Sequence, residues 1–118
     1  MTGIIPLKKE ENMTSFLAVK RVRGIVGEKK CGHTGTLDPM ATGVLPILIG
    51  RATVLSQYLT DANKSYTATV KLGVTTDSCD ITGNVMSQAD VKCTDSDIDS
   101  VLKNFLGTQM QTPPMYSA

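Results

Sequence analysis

The clearest pattern in the sequence is a strict alternation over residues 64–72. Tyr66, Ala68, Val70 and Leu72 fall on one side, with Ser65, Thr67, Thr69 and Lys71 on the other, which predicts a half-buried strand. Turn chemistry follows at Asp80-Ile81-Thr82-Gly83-Asn84, and Val85-Met86 reads as a returning strand. Further on, Ile98, Val101, Leu102 and Phe105 recur at i, i+3, i+4 and i+7, behind a Thr94/Asp97 pair with capping-box spacing. Gly107 closes that helix. At the front, residues 3–7 predict a short strand and residues 8–12 a polar turn. Thr14 and Ser15 then offer an N-cap, with Phe16, Val19 and Val22 or Arg23 at helical spacing and Gly24 and Gly27 as helix stops. Residues 44–49 are almost continuously apolar, and Pro46 among them suits an edge strand or a strand start better than a central position. Val54, Leu55, Tyr58 and Leu59 suit one side of a short helix that ends in the turn Asp61-Ala62-Asn63. The mixture predicts an α+β fold, with a mixed, mainly antiparallel sheet and packed helices.

Composition narrows the function classes. At 118 residues the chain suffices for one domain with a core. Hydrophobic residues make up 41% and charged residues 19%, which excludes a disordered polypeptide. The net charge of +1 argues against a protein that coats nucleic acid by bulk charge, although a local patch survives in the total. Lys20, Arg21, Arg23, Lys29 and Lys30 cluster around a single acid, Glu28. Taken alone, such a run is a solvated helix face. Three cysteines, Cys31, Cys79 and Cys93, fit no disulfide framework, so a reducing, cytoplasmic setting is expected. No apolar run reaches the roughly 20 residues of a membrane span, so no membrane partner is expected.

The candidate chemistry lies in residues 32–43, which read Gly32-His33-Thr34-Gly35-Thr36-Leu37-Asp38-Pro39-Met40-Ala41-Thr42-Gly43. Three glycines permit unusual backbone angles or close approach by a ligand. Pro39 biases Asp38 toward an extended conformation, so a carboxylate is set on a tightly specified loop ahead of an apolar strand. The order matches neither a phosphate-binding Gly-Lys-Ser/Thr loop nor a dinucleotide fingerprint. Cys31 and His33 lack a second pair at zinc-site spacing, which argues against a metal. Composition alone leaves an ordinary turn and an active-site loop both open.

The string itself is more specific. His33-Thr34-Gly35-Thr36-Leu37-Asp38-Pro39, followed by Ala41-Thr42-Gly43-Val44-Leu45-Pro46, resembles the signature of TruB-type pseudouridine synthases and their dyskerin relatives. Gly3-Ile4-Ile5, Met13-Thr14-Ser15, Lys64-Ser65-Tyr66, Leu72-Gly73-Val74-Thr75-Thr76-Asp77 with Asp80 and Gly83, and Pro114-Met115-Tyr116-Ser117-Ala118 resemble further family segments. The resemblance implies a pseudouridine synthase catalytic-domain fold. It implies isomerisation of uridine to pseudouridine at position 55 in the T-loop of tRNA, with no cofactor and no metal. The N–C glycosidic bond breaks, the base rotates and a C–C bond forms.

By the same resemblance Asp38 is the nucleophile, since a carboxylate can add to an electrophilic carbon and leave again. Tyr66 would stack on the flipped base, and His33 would lie beside the flipped nucleotide. The basic cluster from Lys20 to Lys30 becomes a set of RNA phosphate contacts, and the T-arm stem-loop of tRNA the partner, with no obligate protein partner evident. Two departures qualify this. Where the family often has a Lys-Pro pair and a Gly, this chain reads Lys8-Lys9-Glu10-Glu11-Asn12. Family members also run well past Ala118 and supply there a basic partner for the catalytic Asp and often a C-terminal RNA-binding domain. Residues 1–118 are therefore expected to be a partial catalytic domain without that second domain, with little or no turnover alone. A non-catalytic RNA-binding module is the competing expectation.

Overall fold

A computed structural model describes residues 1–112. The family-like stretch at residues 114–118 lies outside the described residues. The chain divides into two compact units, Met1–Tyr66 and Thr67–Ala118.

The first unit is a three-stranded antiparallel sheet covered on one face by a helix. Strand β1 spans Gly3–Lys9, helix α1 Ser15–Val26, β2 Cys31–His33 and β3 Gly43–Ile49. The spatial order is β1-β3-β2, so β3 is central. Strand side chains alternate between faces. Leu45, Ile47 and Ile49 therefore point together at Ala18, Val19 and Val22 of α1, and Ile5, Leu7, Met13, Val26, Cys31 and Leu37 close the margins of this core. Thr14 caps α1, its hydroxyl accepting from the Leu17 amide at 3.1 Å. Gly27 ends the helix at φ 66°, a left-handed position that glycine takes without steric cost. Gly24 stays inside the helix.

Two expectations about this unit need correction. Phe16 is 74% exposed and plays no part in the core. The buried stripe of α1 is Ser15, Ala18, Val19 and Val22, which has the i, i+3, i+4, i+7 spacing but starts one residue earlier than Phe16. Pro46 lies in the central strand, not at an edge. Its register partner in β1 is Pro6. Neither has an N–H, so the two can only form a non-hydrogen-bonded pair. The Pro46 backbone accordingly faces the β2 side, where pairing stops at His33 opposite Ile47. No ladder bond is asked of Pro46, and the central position is permitted.

The polar turn begins later than its composition suggests. Strand β1 continues through Lys8 and Lys9, and Asn12 takes φ 60°, the left-handed angle that a Gly would adopt freely. Alternation along β1 carries Ile5, Leu7 and Lys9 to the same, covered face. Lys9 is 0% exposed. Its ammonium donates to the carbonyl oxygens of Glu10 at 3.0 Å, Met13 at 2.6 Å and Pro39 at 3.2 Å. After β3 the chain makes a 3-10 turn over Gly50–Leu55 and a short helix α2 over Ser56–Leu59. Of that segment only Gly50 and Ala52 are buried, whereas Val54 and Tyr58 are exposed.

The second unit contains β4 (Val74–Thr76) and β5 (Val85–Gln88), which pair antiparallel, and helix α3 (Asp95–Leu102). The predicted strand at 64–72 is absent: no strand pairs with it among the described residues, and Tyr66 and Val70 are exposed. Alternation records which side chains suit a sheet face, while a strand also needs a partner for its backbone groups. The returning strand at Val85 is present, and its partner is β4. The turn between them is tied by Asp77, which accepts from the Asn84 amide at 2.9 Å, and by Asp80, which accepts from the Thr82 amide at 2.8 Å. The capping box of α3 is complete. Together the two units form the α+β mixture of helices and antiparallel strands.

Two outcomes are expected. Lys9→Met should destabilise the first unit by about 3 kcal/mol, because three carbonyls from three segments lose their shared, fully buried donor. A urea unfolding midpoint within error of wild type would contradict this. The Asp97 carboxyl is held below its ordinary value, chiefly by the Thr94 amide and then by the Thr94 hydroxyl. The cap is therefore complete above the ordinary carboxylate pKa and is lost as pH falls through the depressed folded value. In an acid titration followed by NMR, the Thr94 amide shift should move in that range in wild type and stay flat in Asp97→Asn.

Candidate active site

The loop from Thr34 to Thr42 leaves the edge strand β2 and re-enters the sheet as the central strand β3. It must therefore cross the end of the sheet, and its shape is fixed there by several independent bonds. Asp38, Pro39, Met40 and Ala41 form a turn in which the Ala41 amide donates to the Asp38 carbonyl at 3.0 Å. Pro39 sits at the second position, where its fixed φ is already right. The Lys9 ammonium holds the Pro39 carbonyl. One residue before Asp38, the Ser15 hydroxyl accepts from the Leu37 amide at 2.9 Å and donates to the Leu37 carbonyl at 3.2 Å. Both neighbours of Asp38 are thus tied to the covered side of the sheet, while Asp38 itself is exposed. Gly43 leaves the loop at φ 143°, an angle that side-chain-bearing residues rarely adopt.

On the opposite face of the sheet lies a cavity of about 710 Å³. Its floor includes Ile4 and Pro6 of β1 and Val44 and Pro46 of β3, the alternates of the residues that face α1. Thr34, Gly35, Thr36 and Leu37 line one part, Thr42 and Gly43 another, and residues 62–66, ending in Tyr66, a third. Tyr66 is 69% exposed, so its ring presents a free face. Lys64 braces this wall. Its ammonium donates to the carbonyls of Thr60 and Ala62, and its stem lies over Gly35, where an added Cβ would meet Lys64 Cε at 3.5 Å.

The structure brings some of the expected residues together and separates others. Tyr66 lines the cavity. Asp38 is not a lining residue, but it stands on the turn between Leu37 and Thr42, which both are. His33 ends β2 next to the lining residue Thr34, and its Nδ1 is buried with no hydrogen-bond partner among the described residues. The basic residues fall elsewhere. Lys20, Arg21 and Arg23 are exposed on α1, which covers the other face of the sheet, and Lys29 and Lys30 follow that helix. Glu28, the acid among them, has its carboxyl held below its ordinary value, first by the Lys30 amide and then by the terminal ammonium of Met1 at 3.1 Å. None of the five cations is in an ion pair among the described residues.

Sequence reasoning missed Lys9 and Ser15. Lys9 reads as part of a charged run, and Ser15 as an alternative cap. The signal for Lys9 was its parity: two residues beyond Leu7 on β1, it continues the buried face. Among the described residues, no group of three or more His, Cys, Asp or Glu side chains gathers as a metal site.

Comparison with known proteins places this geometry in a lineage. Residues 23–118 match the family described as TruB family pseudouridylate synthase (N terminal domain). The chain is 47% identical over 118 residues to "tRNA pseudouridine synthase B" of Stutzerimonas stutzeri (strain A1501), covering all of this chain and 39% of that protein. It is also 47% identical over 120 residues to the protein of that name in Lactococcus lactis subsp. lactis (strain IL1403), covering all of this chain and 36% of the relative. Among solved structures, a chain from "Crystal Structure of a Cbf5-Nop10-Gar1 Complex" superposes with a TM-score of 0.65 at 29% identity, over 98% of this chain and 30% of that one. The chain thus spans well under half the length of these relatives. Within that span the chain belongs to the TruB family of pseudouridylate synthases, in the part that forms the family's N-terminal domain.

Proposed function

We propose that this chain supplies the nucleophile-bearing part of the catalytic domain of a synthase that converts uridine to pseudouridine in tRNA, at position 55 of the T-loop. Asp38 is the nucleophile of this reading. The observation that carries it is the bracketed turn: an exposed carboxylate whose two neighbours are pinned by Ser15 and Lys9, next to a cavity walled by an exposed tyrosine. A group that adds to carbon gains from being held in place before the substrate arrives, because the ordering is then complete.

The chemistry assigns roles to the rest. A stacked uridine hides its reacting atoms, so the base must leave the stack and enter a pocket. A cavity of about 710 Å³ lies in the range that holds a small ligand. Tyr66 offers the flipped base a stacking face worth roughly 1–3 kcal/mol. His33, beside Thr34, borders the flipped nucleotide. Asp38 attacks an electrophilic carbon of the nucleotide, the N–C bond breaks, and the base turns and rejoins through C5 as Asp38 departs; the C5 proton is lost to solvent and the freed N1 takes one up, so the overall change is an isomerisation. The unpaired cations Lys20, Arg21, Arg23, Lys29 and Lys30 meet only those phosphates that reach around the sheet. Their wider effect is to draw in the polyanion at longer range.

The test grafts residues 1–118 in place of the aligned segment of the Stutzerimonas stutzeri relative. Tritium release from C5-labelled uridine in a T-arm stem-loop is then followed. The graft should turn over and Asp38→Ala should fall to background. Tyr66→Ala should lose roughly 5- to 150-fold in kcat/KM, the equivalent of one stacked base. A normal rate in Asp38→Ala would remove the nucleophile from this reading.

A further inference from the structure

We infer that Ser15 is a positioning residue for the reaction: its hydroxyl, from the first turn of α1, fixes the backbone of Leu37 and through it the direction of Asp38. The kinetic part of this inference rests on the assignment of Asp38 as nucleophile, whereas the structural part does not.

Three observations converge on Ser15. First, the helix does not need this hydroxyl. Thr14 already caps α1 through its own oxygen, so the first-turn serine is free for another partner. Second, Ser15 is 2% exposed. A buried hydroxyl is retained where its hydrogen-bonding capacity is met. Third, that capacity is spent on one residue of the loop. A single oxygen accepts from the Leu37 amide at 2.9 Å and donates to the Leu37 carbonyl at 3.2 Å. This is the exchange that a neighbouring strand would make with Leu37, delivered by a side chain from 22 positions earlier in the chain.

The consequence for Asp38 is geometric. Leu37 is packed against the core, so with both backbone groups tied it cannot pivot. On the other side Pro39 has a fixed φ and its carbonyl is held by Lys9. Without Ser15, the amide and carbonyl of Leu37 would lose the partner that fixes both of them at a partly buried site. The peptide leading into Asp38 would then sample other orientations. A displacement of about 1 Å at a reacting group costs about 100-fold in rate. Serine fits because the bonds need one donor and one acceptor on one small atom. A threonine methyl would require space that a 2%-exposed site lacks.

Two measurements test the inference. In the 118-residue chain, amide hydrogen exchange is compared between wild type and Ser15→Ala. The Leu37 amide should exchange about tenfold faster in the variant, the equivalent of one lost hydrogen bond, while the Val19 and Ile47 amides keep their rates. Unchanged exchange at Leu37, or equal acceleration at all three, would overturn the inference. Should Ser15→Ala fail to fold, Ser15→Cys serves the same comparison, since its sulfur nearly keeps the volume and bonds weakly. Leu37 should again be singled out. In the grafted synthase, Ser15→Ala should lower kcat about 10- to 100-fold with KM for the stem-loop within about twofold, and Ser15→Cys should fall between. A rise in KM with kcat unchanged would assign Ser15 to binding instead and overturn positioning. If the graft is inactive with Ser15 intact, the proposed function has failed, and the exchange experiment still decides the structural claim.

Discussion

The first unit depends on how one buried cation is satisfied. The Lys9 ammonium has no carboxylate partner; its three hydrogens go to three carbonyls, one each from Glu10, Met13 and Pro39. Those carbonyls belong to the exit of β1, the approach to α1 and the Asp38–Ala41 turn, so one side chain sets the separation of three segments. Burying an ammonium is unfavourable unless every donor finds an acceptor, and here the donor count and the acceptor count agree. A carboxylate in place of the carbonyls would have met the same demand. It would also have cancelled the charge. Neutral acceptors leave the ammonium's charge in place beside the Pro39 carbonyl, in the residue that follows Asp38.

The same arrangement explains what the sequence could and could not disclose. Elements set by local bonding were legible: the Thr14 cap, the stop at Gly27, the Thr94/Asp97 box and the turn between β4 and β5 all join residues within a few positions of one another. So was family membership, because the loop that carries Asp38 is a long and distinctive string. Features set by partners remote in sequence were not. The alternation at 64–72 describes side chains accurately, yet a strand is made by a neighbour, and among the described residues none pairs with it. Pro46 pointed to an edge because it has no N–H to give to a neighbouring strand. The register that puts Pro6 opposite it removes the objection. Phe16 has the spacing of a core residue, but the helix is rotated so that the smaller Ser15 and Ala18 face the sheet.

The rotation of α1 and the bracketing of Asp38 share one cause. With Phe16 inward, an aromatic ring would separate α1 from the loop and no hydroxyl could reach Leu37. With Ser15 and Ala18 inward, the helix start lies close enough for a 2.9 Å bond. The core sacrifices apolar area at that end and gains a rigid connection to the loop. That exchange makes sense only if the loop's geometry matters more than the last increment of stability, as is usual at sites that perform chemistry. The two faces of the sheet then divide the labour. Leu45, Ile47 and Ile49 hold the scaffold against α1, and their alternates Val44 and Pro46 line the cavity on the other side. The period of two in β3 therefore links the stability of the core to the floor of the site. A shift of one residue in its register with β1 would reverse both faces and move the entry of the Asp38 loop with them.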